Sequence, residues 1–226
     1  MKLNKYLKYS IGLLALLALF TMLVAPAYAS SDSDKFVSVS AGSGFVLALR
    51  DDGTVWTWGL LYGEELNDGM YYTSQKTPVQ VPIDDVVAIS AGGSHSLALK
   101  KDGTVWAWGF NEVGQLGDGT TVSPKIGEIK PVLVKGLDHV TMISTGNLHS
   151  LALKDDGTVW AWGRGGLGEL GDGSFENKLT PVKLNLTNVT SIYGGEFAIK
   201  DDGRIRVQFP ATGGEHGIVK ISLDLA

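Results

Sequence analysis

From about residue 36 to residue 202, apolar positions alternate with small or polar ones in short runs, and Gly-, Asp- and Pro-rich breaks separate the runs. Ser96 to Lys100 (S-L-A-L-K) and Thr104 to Gly109 (T-V-W-A-W-G) show the pattern most clearly. A period of two in β-forming residues predicts half-buried strands, and no segment carries a helical period. Asp102-Gly103 between these two runs predicts a hairpin, of type I′ with positive φ at both central residues. In the second strand Val105 and Ala107 fall on one face, and Trp106 and Trp108 on the other. The small face suits a close neighbour. The Trp face suits a wide gap between sheets, because aromatic rings dominate core burial. The tryptophans are therefore expected to be filler between sheets, not a platform for bases or sugars.

The pattern repeats. D-G-T-V-W-x-W-G occurs at Asp52–Gly59, Asp102–Gly109 and Asp156–Gly163, and these copies hold all six tryptophans: Trp56, Trp58, Trp106, Trp108, Trp160 and Trp162. Gly53, Gly103 and Gly157 are the turn glycines. Upstream, Ser40-Ala41-Gly42 matches Ser90-Ala91-Gly92 and Ser144-Thr145-Gly146. Downstream, Val113 to Gly119 (V-G-Q-L-G-D-G) recurs at Leu167 to Gly173, and in drifted form at Tyr62 to Gly69. A Pro-Val pair then opens another run at Pro78, Pro131 and Pro181. Each repeat thus holds about four short strands with Gly-rich turns, which is the pattern of a β-propeller blade. The expected repeats are about 36–85, 86–139 and 140–188, with a degenerate one at 189–226. In the last, Arg204-Ile205-Arg206-Val207-Gln208 stands where T-V-W-x-W is expected, so Arg206 and Gln208 take the Trp positions.

The string S-A-G-x-x-H-S-L-A-L-x-x-D-G-x-V-W-x-W-G-x-N-x-x-G-Q-L-G, carried almost whole by Ser90 to Gly117, resembles the regulator of chromosome condensation repeat family. The resemblance covers about Phe36 to Asp202. It implies a propeller, usually seven-bladed, whose chain ends share one blade to close the ring. The family's eukaryotic namesake is a chromatin-bound exchange factor for a small nuclear GTPase, and exported bacterial relatives are mostly binding proteins, including an inhibitor of β-lactamases. Here three sound repeats and one degraded one predict an all-β open propeller of three to four blades. Phe36 to Leu49 would then have no preceding blade, leaving its sheet face and edge exposed, with self-association a way to cover them.

Residues 1–29 change the compartment. Lys2, Lys5 and Lys8 precede the apolar run Ile11 to Val24, and Ala27-Tyr28-Ala29 is a small-x-small cleavage site. That is the form of an export signal, with Ala27 and Ala29 at the cut and residues 30–226 as the mature propeller domain. The expected location is secreted or extracytoplasmic, with no membrane anchor after cleavage. The whole chain carries a net charge of −5. The leader holds three lysines and no acid, so the remainder carries 16 basic against 24 acidic side chains, a net −8. An acidic chain with scattered lysines is a poor nucleic-acid ligand and a poor candidate for the namesake's exchange activity. There is no cysteine, which removes disulfides, thiolate metal sites and Cys nucleophiles.

Candidate chemistry is sparse. His95 and His149 share a repeat position with Phe45, and a position that accepts Phe is expected to be packing. Asp68, Asp118 and Asp172 recur on one expected rim, but without the spacing of a calcium loop. Asp before Gly is ordinarily a turn former. Glu64, Glu65 and Glu169 could be offered as a glycosidase pair, with nothing to fix their separation. No serine-hydrolase elbow, phosphate loop or zinc-protease motif occurs. Asn185 and Asn188 head glycosylation sequons. The expectation is a non-catalytic binding module without metal or cofactor, presenting repeat loops to a protein or glycan. A secreted hydrolase with a rim active site, or an inhibitor of a secreted enzyme, is the alternative.

Overall fold

The structure is a computed structural model that describes residues 35–64, 70–125, 127–195, 197–201 and 205–207. The expected export signal with Ala27 and Ala29, the loop containing Glu65 and Asp68, and Gln208 lie outside the described residues. Every regular element described is a strand. Blade 1 comprises β1 (Phe36–Ala41), β2 (Phe45–Arg50), β3 (Val55–Glu64) and β4 (Met70–Gln80). Blade 2 comprises β5 (Val86–Ala91), β6 (His95–Lys100), β7 (Val105–Gly109) and β8 (Val132–Leu133). Blade 3 comprises β9 (Val140–Thr145), β10 (His149–Lys154), β11 (Val159–Gly163) and β12 (Lys178–Lys183). Blade 4, the degenerate repeat, comprises β13 (Val189–Tyr193), β14 (Phe197–Lys200) and β15 (Ile205–Val207). Each blade is an antiparallel meander in chain order.

Register repeats from blade to blade. Leu49↔Val55, Leu99↔Val105 and Leu153↔Val159 are paired alike, as are Thr57↔Val79, Ala107↔Val132 and Ala161↔Val182. The Pro-Val pairs therefore do set the outer strand. Arg206 pairs with Ala198 as Trp160 pairs with Ala152, which places it at the first Trp position of blade 4.

Two local expectations change. The Asp-Gly hairpins form, but not as type I′ turns. Only Gly53, Gly103 and Gly157 take positive φ (83°, 79° and 75°), while the preceding aspartates do not. The Gly53 N–H donates to the Arg50 carbonyl at 3.1 Å, and the Arg50 N–H to the Thr54 carbonyl at 2.9 Å. This is a three-residue loop, a type I turn followed by a left-handed glycine. The reason is Thr54. Its N–H and hydroxyl both donate to the Asp52 carboxylate at 2.9 and 2.7 Å, which holds Asp52 in the turn. Thr104 and Thr158 do the same for Asp102 and Asp156. These hydroxyl bonds keep all three carboxyls below the usual carboxylate range. The second change is in blade 1, where β3 and β4 run on as a long ladder to Glu64↔Met70, with Tyr62 and Tyr72 meeting edge to face.

The cores lie between blades. Leu97, Leu99, Val105 and Ala107 form the forward face of blade 2, turned toward blade 3. Ala152 and Trp162 of blade 3 close the core against them, and Leu116 and Val134 of blade 2 complete it. The same layout joins Leu47, Leu49 and Val55 of blade 1 to Ala98 and Trp108 of blade 2, and Leu151, Leu153 and Val159 of blade 3 to Ile192 and Ala198 of blade 4. The two faces read from the sequence are thus the two walls of one seam: the small face of blades 1 and 2 receives the Trp face of the next blade.

The Trp pairs are unequally buried, although Trp160 as well as Trp162 packs on a seam core. Trp108 and Trp162 are buried, at 5% and 0% exposure. Trp106 and Trp160 are half-buried, with the ammonium groups of Lys100 and Lys154 about 6 Å above their rings. In blade 1, Trp56 is half-buried like Trp106 and Trp160, while Trp58 is half-buried where Trp108 and Trp162 are buried, because no described blade precedes it. β1 beside them is exposed along most of its length. Its neighbour β2 is not, since Phe45, Leu47 and Leu49 face blade 2.

Candidate functional site

Two sets of polar residues recur in the described fold, at the seams and on the loops that follow β7 and β11. At the seam between blades 2 and 3, the His95 Nε2 lies 2.9 Å from the Ser150 hydroxyl, which itself donates to the Gln115 carbonyl at 3.1 Å. The single hydroxyl proton is used there, so Nε2 carries the imidazole proton and Nδ1 is the bare nitrogen. Nδ1 is buried without a partner. Burial, reinforced by the neighbouring His149, pushes the His95 pKa down to about 3, so the ring is neutral. His149 Nε2 donates likewise to the Gly195 carbonyl of blade 4 at 2.7 Å. Serine hydroxyls repeat the stitch: Ser40 accepts from the Ala91 N–H and Ser144 from the Gly195 N–H, both at 2.9 Å, and Ser90 pairs with Thr145 at 2.8 Å. The histidines are packing residues as expected, and they also join one blade to the next.

The loop after β7 is built around Asn111, which is fully buried. Its amide donates to the Thr120 carbonyl and hydroxyl at 3.1 and 3.2 Å, its oxygen accepts from the Leu116 N–H at 3.0 Å, and its own N–H donates to the Ser123 hydroxyl at 2.8 Å. The Asp118 carboxylate accepts from the Thr120 N–H and hydroxyl. The loop after β11 lacks the asparagine, since Gly165 stands there and its N–H donates to Asn177 Oδ1 at 3.0 Å. Asp172 accepts from the Ser174 N–H and hydroxyl at 2.9 and 3.0 Å. Leu116 and Leu170 of these loops plug the seam cores.

This geometry decides the candidate chemistry. Asp118 and Asp172 are turn formers. Glu169 accepts from the Leu167 N–H at 2.7 Å and pairs with the Arg164 guanidinium at 3.0 Å, so it is bound into its own loop. Gln115 does the same for Val113 in blade 2. Among the described residues, no group of three or more His, Asp or Glu is placed to hold a metal ion. A cavity beside Ser94 and Trp108, between blades 1 and 2, has about 20 Å³, room for a water and nothing larger.

What these loops leave in solvent lies between the fixed positions. Val122 (71% exposed) lies beyond the Asp118 turn, and Leu167 (50%) and Phe175 (68%) share the tip of the loop after β11. Gly168, next to Leu167, sits under the Phe175 ring. Repetition in the sequence did not mark them as exposed: Leu167 opens a recurring loop string at the place of Val113, and Val122 and Phe175 have no matching residue in the other repeats. These three large apolar side chains are held out in solvent on hydrogen-bonded loops.

Models described as the regulator of chromosome condensation (RCC1) repeat match residues 102–153 and 156–197, and a second model of the same description matches 36–60, 86–115 and 140–169. The RCC1 domain-containing protein RUG3, mitochondrial, of Arabidopsis thaliana is 31% identical over 149 residues, which are 65% of this chain and 21% of that protein. The human E3 ubiquitin-protein ligase HERC2 is 33% identical over 158 residues, 67% of this chain and 3% of HERC2. The chain thus spans about a fifth or less of these curated relatives. Among solved structures, Prp20p of Saccharomyces cerevisiae superposes with a TM-score of 0.63 at 28% identity, over 76% of this chain and 42% of Prp20p. Human WBSCR16 gives 0.62 at 29%, over 76% and 47%.

Proposed function

The chain belongs to the regulator of chromosome condensation repeat family, and from that premise we propose that it is an exported, non-catalytic interaction module whose loops after β7 and β11 dock a protein. One observation carries the reading. The recurrent polar side chains of these loops are consumed in holding the loops, while Val122, Leu167 and Phe175 stand free of that work and exposed. Family relatives favour a protein over a glycan: the Prp20p structure concerns binding to Gsp1p and histones, and yeast RCC1 has been solved bound to Kap60. An acidic chain with an export-type leader calls for partners of its own.

The test is capture on immobilised purified chain, from the medium or envelope fraction of the source cells, compared with a Val122→Ser, Leu167→Ser, Phe175→Ser variant. A protein retained by the wild type and lost by the variant, at equal unfolding midpoints, supports the reading. Equal capture by both ends it. A hydrolytic activity that copurifies with the chain and disappears on Glu169→Gln would replace it with an enzyme.

A further inference from the structure

We infer that blade 1 carries a pairing arm: β4 of one copy of this chain pairs antiparallel, edge to edge, with β4 of a second copy, about a two-fold axis at Ser74. This inference does not depend on the loop-docking reading. Gln75 of β4 stands opposite Gly59 as Lys178 of β12 stands opposite Gly163. Lys178 begins β12, whereas β4 begins earlier, at Met70, and pairs with β3 as far as Glu64. Blade 1 thus extends as a two-stranded ribbon. The ribbon is held to its blade: the Tyr62 hydroxyl donates to the Ser43 carbonyl, and the Tyr62 ring meets Phe45 and Tyr72 edge to face at 6.2 and 6.1 Å.

One hydrogen bond fixes which backbone groups face outward. The Leu60 N–H donates to the Gly44 carbonyl at 2.9 Å, so the backbone groups of Leu60 point away from β4. Such groups change sides from one strand residue to the next. Thr73, opposite Leu61, therefore bonds inward to β3, while Tyr72 and Ser74, opposite Tyr62 and Leu60, direct their N–H and C=O outward. β4 is the edge of its sheet, and among the described residues no other backbone bonds to these groups. The other outer edges differ. β8 is two residues long, and Leu179 of β12 already accepts the Gly119 N–H at 2.9 Å. A two-stranded ribbon is marginal in water, and its open edge is a template for a further strand.

The sequence of β4 fits a second copy of itself. Met70–Gln80 holds no carboxylate and one charge, Lys76. With the axis at Ser74, the two Ser74 residues exchange both backbone hydrogen bonds. Thr73 then lies opposite Gln75, and Tyr72 opposite Lys76, a ring against an ammonium group. An axis at Lys76 would set two like charges face to face. One at Thr73 or Gln75 would meet backbone groups already used within the blade, and one at Tyr72 would engage only Met70 to Ser74. The contact is the same on both copies and consumes the edge of each, so assembly stops at two.

Light scattering on the purified full chain at tens of micromolar should give twice the mass of the denatured polypeptide. Ser74→Pro removes an N–H that the blade itself does not use, and should halve that mass at unchanged circular dichroism. The Tyr72 and Ser74 amides should gain protection from hydrogen exchange as concentration rises, while the Thr73 amide stays protected throughout. Because the chain has no cysteine, the contact can also be trapped. Ser74→Cys should link to itself under oxidation, faster than Thr187→Cys at an exposed site elsewhere. A monomer at those concentrations, a doubled mass that survives Ser74→Pro, or an open series of larger species would each overturn the pairing. So would Ser74→Cys linking no faster than Thr187→Cys, or a Ser74 amide equally protected at every dilution, which would mean that another part of the same chain covers the edge.

Discussion

The imidazole of His95 and the hydroxyl of Ser150 meet at 2.9 Å across the seam between blades 2 and 3. His95 is 1% exposed, and its second nitrogen has no partner. A proton added there would be a buried, unsolvated charge. The ring titrates at about 3 in the fold and near 6.5 in the unfolded chain. The unfolded state therefore binds the extra proton between those values. Its neutral-ring stability is complete above pH 6.5 and is lost as pH falls toward 3, at about 1.4 kcal/mol per pH unit. Urea midpoints from pH 3 to 8 should show that slope reduced in His95→Phe, a ring that the equivalent Phe45 site already accepts. Equal slopes in both proteins would remove His95 from the acid response.

Ser150→Ala should cost about 1–3 kcal/mol, because it strands the His95 N–H. The Gln115 carbonyl keeps the Trp162 indole N–H at 2.9 Å, so the loss is of one partner, not of the whole network. Denaturant titration measures it. A change under about 0.5 kcal/mol would show that the stitch contributes nothing net.

The two tryptophans of a repeat should separate cleanly. Trp162→Ala empties a fully buried site and should cost roughly 3–5 kcal/mol. Trp106→Ala removes a half-exposed ring and should cost less than half of that. Paired unfolding midpoints decide, and the reverse ranking would mean that the seam is not held by the second Trp.

Asn111→Ala should loosen the loop after β7 while leaving the strands in place. The Leu116 N–H, which donates to Asn111 Oδ1, should exchange with solvent much faster, and β6 and β7 amides little changed. Unaltered exchange at Leu116 would place the loop's order elsewhere.

Strands, hairpins and outer-strand register were legible because each is local: a period of two, an Asp-Gly turn, a Pro-Val start. The propeller class followed from repetition of those signals. The turn type was missed because the Thr two residues after Asp captures its carboxylate, and that outweighs the Asp-Gly preference for type I′. The inequality of Trp106 and Trp108 was not legible, since alternation gives the face of a strand but not how far the neighbouring blade extends along it. The His95–Ser150 bond joins residues 55 apart, and only the presence of Phe45 at the same repeat position hinted at burial. Val122 and Phe175 were missed because a search for recurring residues passes over the positions that vary, and Leu167 because its recurrence with Val113 gives no sign of its exposure.

The seam cores between blades 1 and 2 and between blades 2 and 3 are finished by a tryptophan of the blade that follows, Trp108 and Trp162, which gives the chain a direction in time as well as in space. During synthesis the aliphatic wall of blade 2 leaves the ribosome some fifty residues before Trp162 arrives to close it. At every stage the newest complete blade presents an open apolar wall, and the one before it has just been sealed. A ribosome that stalls within a repeat therefore exposes a single unfinished seam, while everything upstream is already consolidated.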